Sequence, residues 1–342
     1  MRTSHIIMVS FCFAVLSANA IALEYNYDDF AAKISGYGNV GMIEPDFALN
    51  NASFLGDWSV RGQLTYDADE NHRLGFVYSL NQQTVEDDEY INDLFALWQF
   101  KRLGRMEIGL TDSVAEKLGL GLPDVGGLRM NDNPLFYKKI KPTGTIISDT
   151  ILDTGDGAPR VNVVSAQNDG IQYGVSVAGL SDDYDFTLDG GIKIRRPNGK
   201  TKTAYSLSAS FTSHPDKFDQ SQFSPRITAD WRAQIAGAIN VQYNSLVFGI
   251  SGRAIYDKNP IGIKSDGFIL GTGVSYDLLK YTVSLSYVFS DTGVWQHDID
   301  DFINHTVVSS FRYKYSENVD GWMSLGMTLQ NPFIAAGMRV TF

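Results

Sequence analysis

The stretch "DWSVRGQLTYD", residues 57–67, alternates in side-chain character with a period of two. Trp58, Val60, Gly62, Leu64 and Tyr66 fall on one face; Ser59, Arg61, Gln63, Thr65 and Asp67 fall on the other. Successive side chains of an extended strand point to opposite sides, so this is one long strand with an apolar and a polar face. Residues 201–212, "TKTAYSLSASFT", and 280–290, "KYTVSLSYVFS", repeat the pattern.

Working outward, the alternation predicts sixteen strands, at 33–42, 57–67, 72–81, 92–101, 104–111, 159–167, 170–180, 184–196, 201–212, 227–243, 246–257, 267–277, 280–290, 303–315, 321–330 and 333–342. Most are nearer the roughly 9–11 residues that a tilted strand needs to cross a bilayer than the five or six usual in soluble sheets. Short turns at 68–71, 102–103, 168–169, 197–200, 244–245, 278–279 and 316–320 alternate with mostly longer polar links, and Asn198-Gly199 is a strong hairpin signal. Short connections on one side and long ones on the other fit an all-β, transmembrane antiparallel barrel with periplasmic turns and external loops. Aromatic residues gather at strand ends on the apolar face, among them Trp58, Tyr66, Trp231, Tyr243, Tyr276 and Phe289, as two interfacial girdles would require. A soluble β-sandwich or solenoid is the competing reading, and strand length and turn asymmetry count against it.

The N-terminus sets the compartment. "MRTSH", an apolar run from Ile6 to Leu16 and the small-residue stretch "SANAIA" have the order of a secretory signal peptide, residues 1–22, cleaved after Ala22 or Ala20. Residues 23–342 then form a single barrel. The only cysteine, Cys12, lies in the signal, so stability rests on backbone pairing and not on disulfides. After the signal there is no apolar run of about 18 residues, which excludes a helical membrane protein. The net charge of −11 excludes a nucleic-acid binder working through a basic face. It also points towards cations as permeants, although charge local to a pore governs that preference.

The long link 112–158 separates the fifth and sixth predicted strands; a link of that length is functional or marks a wrong assignment. It opens "DSVAEKLGLGLPDVGG", a short helical turn and then a Gly/Pro-rich turn, with Asp112, Glu116, Asp124 and Asp132 as its early acids. By strand phase Arg61, Arg73 and Arg105 face the polar side of the early strands, and Lys193, Lys202 and Arg253 that of later ones. Asp112 could instead cap the helical turn, and Asp124 could be a solvated turn residue. The inward faces show no aromatic track for a selective solute. His72, His214, His297 and His305 have no metal spacing and no triad partner, so no cofactor and no reaction is expected. Acidic stretches 86–90 and 297–301 could bind divalent cations that bridge lipopolysaccharide, with a solvated acidic loop as the plainer reading. Gly36, Gly38 and Gly41 lie in a strand, where glycine suggests close backbone approach, as at a subunit contact.

"ISGYGNVG" at 34–41, "GRMEIGLTDSVAEKL" at 104–118, "RVNVVSAQNDGIQYGVSVAG" at 160–179 and the terminal "RVTF" resemble the general diffusion porins of Gram-negative bacteria. The resemblance implies an outer-membrane homotrimer contacting lipid and lipopolysaccharide, its third external loop folded into the lumen. Acids of that loop would face basic residues of the early strands, making Arg61, Arg73, Arg105, Asp112, Glu116, Asp124 and Asp132 the candidate constriction. It implies that the second external loop latches a neighbour, and that Phe342, Val340 and Met338 carry the signal read by the barrel-assembly machinery. The function it implies is passive diffusion of small hydrophilic solutes and ions. A substrate-selective channel, a barrel enzyme such as a lipase, and a plugged structural barrel are the alternatives.

Overall fold

The computed structural model describes residues 23–45, 53–83, 90–123, 151–152, 159–179, 186–213, 231–258, 264–292, 302–328 and 331–342. The signal segment, Asp124 and Asp132 lie outside them, as do most of the acidic loop stretches. The strands are β1 (Leu23–Tyr27), β2 (Phe30–Pro45), β3 (Ser53–Asp67), β4 (His72–Gln83), β5 (Tyr90–Phe100), β6 (Gly104–Leu110), β7 (Pro159–Ser165), β8 (Ile171–Ala178), β9 (Thr187–Asn198), β10 (Thr201–Ser213), β11 (Trp231–Tyr243), β12 (Leu246–Lys258), β13 (Lys264–Leu278), β14 (Tyr281–Thr292), β15 (Phe302–Lys314), β16 (Val319–Thr328) and β17 (Asn331–Thr341). A single described helix, α1 (Val114–Leu118), follows β6.

From β2 onward each strand pairs antiparallel with the next, and β17 returns to β2 with Phe333 opposite Pro45 and Thr341 opposite Tyr37. Sixteen strands therefore close on themselves. The expected count holds for this ring but misses β1. That strand pairs with the opening part of β2, Leu23 opposite Ile34 and Tyr27 opposite Phe30, while β17 takes the later part of the same edge. Between the two, Phe342 and Gly36 exchange backbone hydrogen bonds of 2.7 and 2.9 Å. Leu23, Tyr25 and Tyr27 do alternate with Glu24 and Asn26, but the stretch is short and follows directly on the signal segment.

The two faces have opposite chemistry. On β13 and β14 the outward row of Phe268, Leu270, Tyr276, Tyr281, Val283 and Leu285 is 39–53% exposed. The inward row of β14 carries Ser284, Ser286 and Ser290, all buried. An apolar exterior is the inverse of a soluble core, and in lipid only a closed ring satisfies every backbone group. Among the described residues no helix is long and apolar enough to cross a membrane. Outward aromatics stack in pairs at both ends: Phe30–Tyr66, Trp98–Phe100 and Tyr281–Tyr313 beside short turns, Phe211–Trp231, Trp231–Tyr256 and Phe268–Phe289 at the other end.

Two expectations change. The glycines of β2 serve contacts within the chain: the Phe342 ring lies over Gly36, and the Trp322 ring lies over Gly41 and Gly337, where a Cβ would come within 2.9 Å. Gly38 has open space beside it. The inward faces also carry large apolar side chains, Val77, Phe95 and Leu97 in one cluster and Trp322 and Phe333 near the closing seam. All are buried, so they pack the wall and offer no open aromatic track to a solute.

Candidate functional site

The site is the wall-bound segment from Thr111 to Pro123, together with Ile151 and Leu152. Its first residues turn off β6 into α1. Ser113, extended at φ −66° and ψ 159°, accepts the Glu116 N–H on its hydroxyl at 3.0 Å. Ser113 is thus the N-cap in place of Asp112, as expected of a short hydroxyl side chain just before the first turn. Asp112 offers its backbone carbonyl to Asn162 Nδ2 at 2.9 Å. Val114, Ala115 and Leu118 face the wall, packing with Val164 and with Leu152 and Ala236, while Lys117 reaches the early strands at Glu107.

A five-residue helix cannot hold itself in place, and most of its stability must come from tertiary contacts. Asp189 on β9 supplies one: its carboxylate accepts the Ala115 N–H at 2.9 Å and the Ser176 hydroxyl at 2.6 Å, with Arg160 3.7 Å away. Farther on, Lys193 donates to the Gly119 carbonyl and Asn240 to the Gly121 carbonyl, each at 3.1 Å. Arg253 donates to the Ile151 carbonyl at 3.3 Å and braces itself on Gln234. The strands make room with glycine. A Cβ on Gly174 would stand 3.0 Å from Val114, on Gly249 2.6 Å from Pro123, and on Gly271 2.7 Å from Leu122. These partners face away from the apolar exterior, so the segment lies inside the barrel and runs along the inner wall from β8 to β13.

The early strands bring charge to the same level. Arg61 pairs with Asp93 at 3.4 Å, Asp93 also accepts the Ser79 hydroxyl, and the Arg61 guanidinium lies 5.9 Å from the Phe95 ring centre. Lys117 approaches that ring from α1 at 5.3 Å and pairs with Glu107 at 2.5 Å; Arg105 pairs with the other Glu107 oxygen at 2.8 Å. Asp112 sits in the field of Asp93, Lys117, Arg160 and Arg61; burial, and secondarily the Asp93 carboxylate, push its carboxyl above the usual aspartate range.

Of the sequence candidates, Arg61 pairs with Asp93, Arg105 shares Glu107 with Lys117, Asp112 lies in the field of Asp93, Lys117 and Arg61, and Glu116 gives its backbone N–H to the Ser113 cap. Arg73 forms a two-point pair with Asp67, 2.5 and 3.0 Å, beside the short turn 68–71. The sequence reading did not single out Asp93, Glu107, Arg160 or Asp189. Their inward strand phase was visible, but their partners depend on register between strands. Val340 and Met338 lie on the outward row of β17, behind Phe342. Among the described residues no three His, Cys, Asp or Glu side chains converge as a metal site would need.

Solved structures share this architecture. OmpT, an outer-membrane protein of Vibrio cholerae solved in a trimer form, aligns with a TM-score of 0.68 at 10% identity, over 92% of this chain and 100% of that one. OmpF of Salmonella typhi in complex with daunomycin gives 0.66 at 11%, over 94% and 100%. The anion-selective porin of Comamonas acidovorans gives 0.61 at 13%, over 92% and 100%.

The fold is the porin fold.

At these identities the likeness is one of architecture alone: a closed sixteen-stranded antiparallel barrel. No family model matches the sequence and no curated protein is similar to it. Within the porin fold, the inward course of 111–123 occupies part of the lumen.

Proposed function

We propose that the protein is a passive porin, a water-filled path for small hydrophilic solutes and ions that catalyses no reaction. The observation that carries this is the seating of 111–123 on the inner wall, held there by Asp189, Lys193 and Asn240, where it occupies part of the lumen. Where fixed charge and bore decide passage, no saturable site is needed. The working unit is a homotrimer in contact with lipid and lipopolysaccharide, formed through the first strands and latched by 82–91, and barrel assembly is directed by Phe342, Val340 and Met338. Refolded protein in planar bilayers should give stepwise, ohmic conductance, and liposomes containing it should swell in small sugars. Silent bilayers and impermeable liposomes would overturn the reading. Saturation of the current by one solute at low concentration would replace it with a selective channel.

A further inference from the structure

The chain carries 39 acidic against 28 basic residues, so bulk charge argues for cation passage. The inner wall is arranged the other way. Two of its strand-borne acids are covered by their partners: Asp93 is 6% exposed beneath an Arg61 side chain that is 45% exposed, and Glu107 is 3% exposed beside Arg105 at 40%, whereas Asp67 and Asp277, beside short turns, are exposed. Glu107 is moreover shared between Arg105 and Lys117, which leaves that group with one excess positive charge. At these two pairs water in the lumen meets the cationic tips, while the carboxylates are set back against the backbone.

A second, independent patch lies on β9 and β10. Lys193, Arg195 and Lys202 share the inward face with Asp189 and Gly191. Lys193 spends one donor on the neutral Gly119 carbonyl, and Arg195 and Lys202 are exposed. Among the described residues none of the three has a carboxylate within ion-pair distance. Many of the chain's acids fall instead in its polar links, as in "EDDE" at 86–89 and "DIDD" at 298–301.

We infer that the lumen prefers anionic solutes, small inorganic anions and carboxylates, over cations of the same size, against the sign of the chain's net charge. This rests on the porin reading and names the permeant class within it. An ion passing about 10 Å from an uncompensated charge in water gains about 0.4 kcal/mol, close to a twofold bias for each charge. The bias should weaken as salt rises, because screening shortens the reach of each charge from about 10 Å at 0.1 M to about 3 Å at 1 M.

The test is the reversal potential of the full-length protein in planar bilayers across a KCl gradient, repeated at low and high salt. Anion preference that fades with salt is expected. The pair Arg195→Gln and Lys202→Gln should lower the anion-to-cation permeability ratio by up to about 16-fold before screening, since each charge favours the anion and disfavours the cation about twofold. Arg195→Glu with Lys202→Glu should carry it farther in the same direction. A conducting wild-type channel that prefers cations, or conducting variants with an unchanged ratio, would overturn this inference while leaving the porin reading intact. Absence of any conductance would overturn both.

Discussion

At the residue scale, Asp112 is a candidate constriction residue whose charge responds to pH. It lies in the loop, outside the strands, and burial together with Asp93 holds its carboxyl above the ordinary aspartate range. A raised carboxylate takes up its proton first as pH falls. The loop therefore loses a negative charge at a pH where exposed aspartates remain ionised. The anion-to-cation permeability ratio should rise through that window, and Asp112→Asn should show the higher ratio at neutral pH without the step. Superimposable pH curves for the two proteins would remove Asp112 from that role. The sequence marked Asp112 as a charged residue near a helix start and left its task open, because capping and pore-facing roles use the same side chain. Ser113 decides the matter by taking the capping hydrogen bond, a distinction between adjacent residues that only backbone geometry makes.

At the element scale, the wall and the loop specify each other. α1 and its continuation lie against Gly174, Gly191, Gly249, Gly271 and Gly273, with Asp189 fixing the helix start. Two unrelated substitutions should unseat the same element. Gly249→Val sets a branched side chain against Pro123, an overpacking of about 1–3 kcal/mol. Asp189→Ala removes the buried acceptor of the Ala115 N–H and of the Ser176 hydroxyl, a loss of about 1–3 kcal/mol. Both should widen the path, seen as larger single-channel conductance with more open-channel noise. If both variants keep the wild-type conductance, the loop is not what narrows the channel. The strands themselves were legible, since alternation in "DWSVRGQLTYD" or "KYTVSLSYVFS" is a local property. The glycine track was not: Gly174 and Gly271 lie far apart in sequence and become one surface only after the register is set.

At the scale of the whole molecule, the edge of β2 is divided between two strands from distant parts of the chain. β17 closes the ring along Tyr37–Pro45, and β1 covers Phe30–Ile34 below it. Without β1 that lower stretch would present an open edge, which barrels exist to avoid. Tyr25→Pro removes a donor from the β1 pairing and should lower the temperature at which the barrel loses its resistance to detergent unfolding, with conductance kept. An unchanged transition would mean that β1 adds nothing to closure. The barrel class was readable from strand length and the alternation of short and long links. The doubled partner of β2 was not, because pairing across the ring leaves no mark on either strand alone.

The same seam has a consequence in time. Trp322 packs over Gly41 and Gly337 and donates to Asn39 at 2.9 Å, a contact spanning 283 positions. Pairings that bring together such distant positions carry the largest loop-closure entropy and form late. Trp322 is enclosed only when the last strand meets β2, so its emission serves as a clock for the moment at which an open sheet becomes a channel.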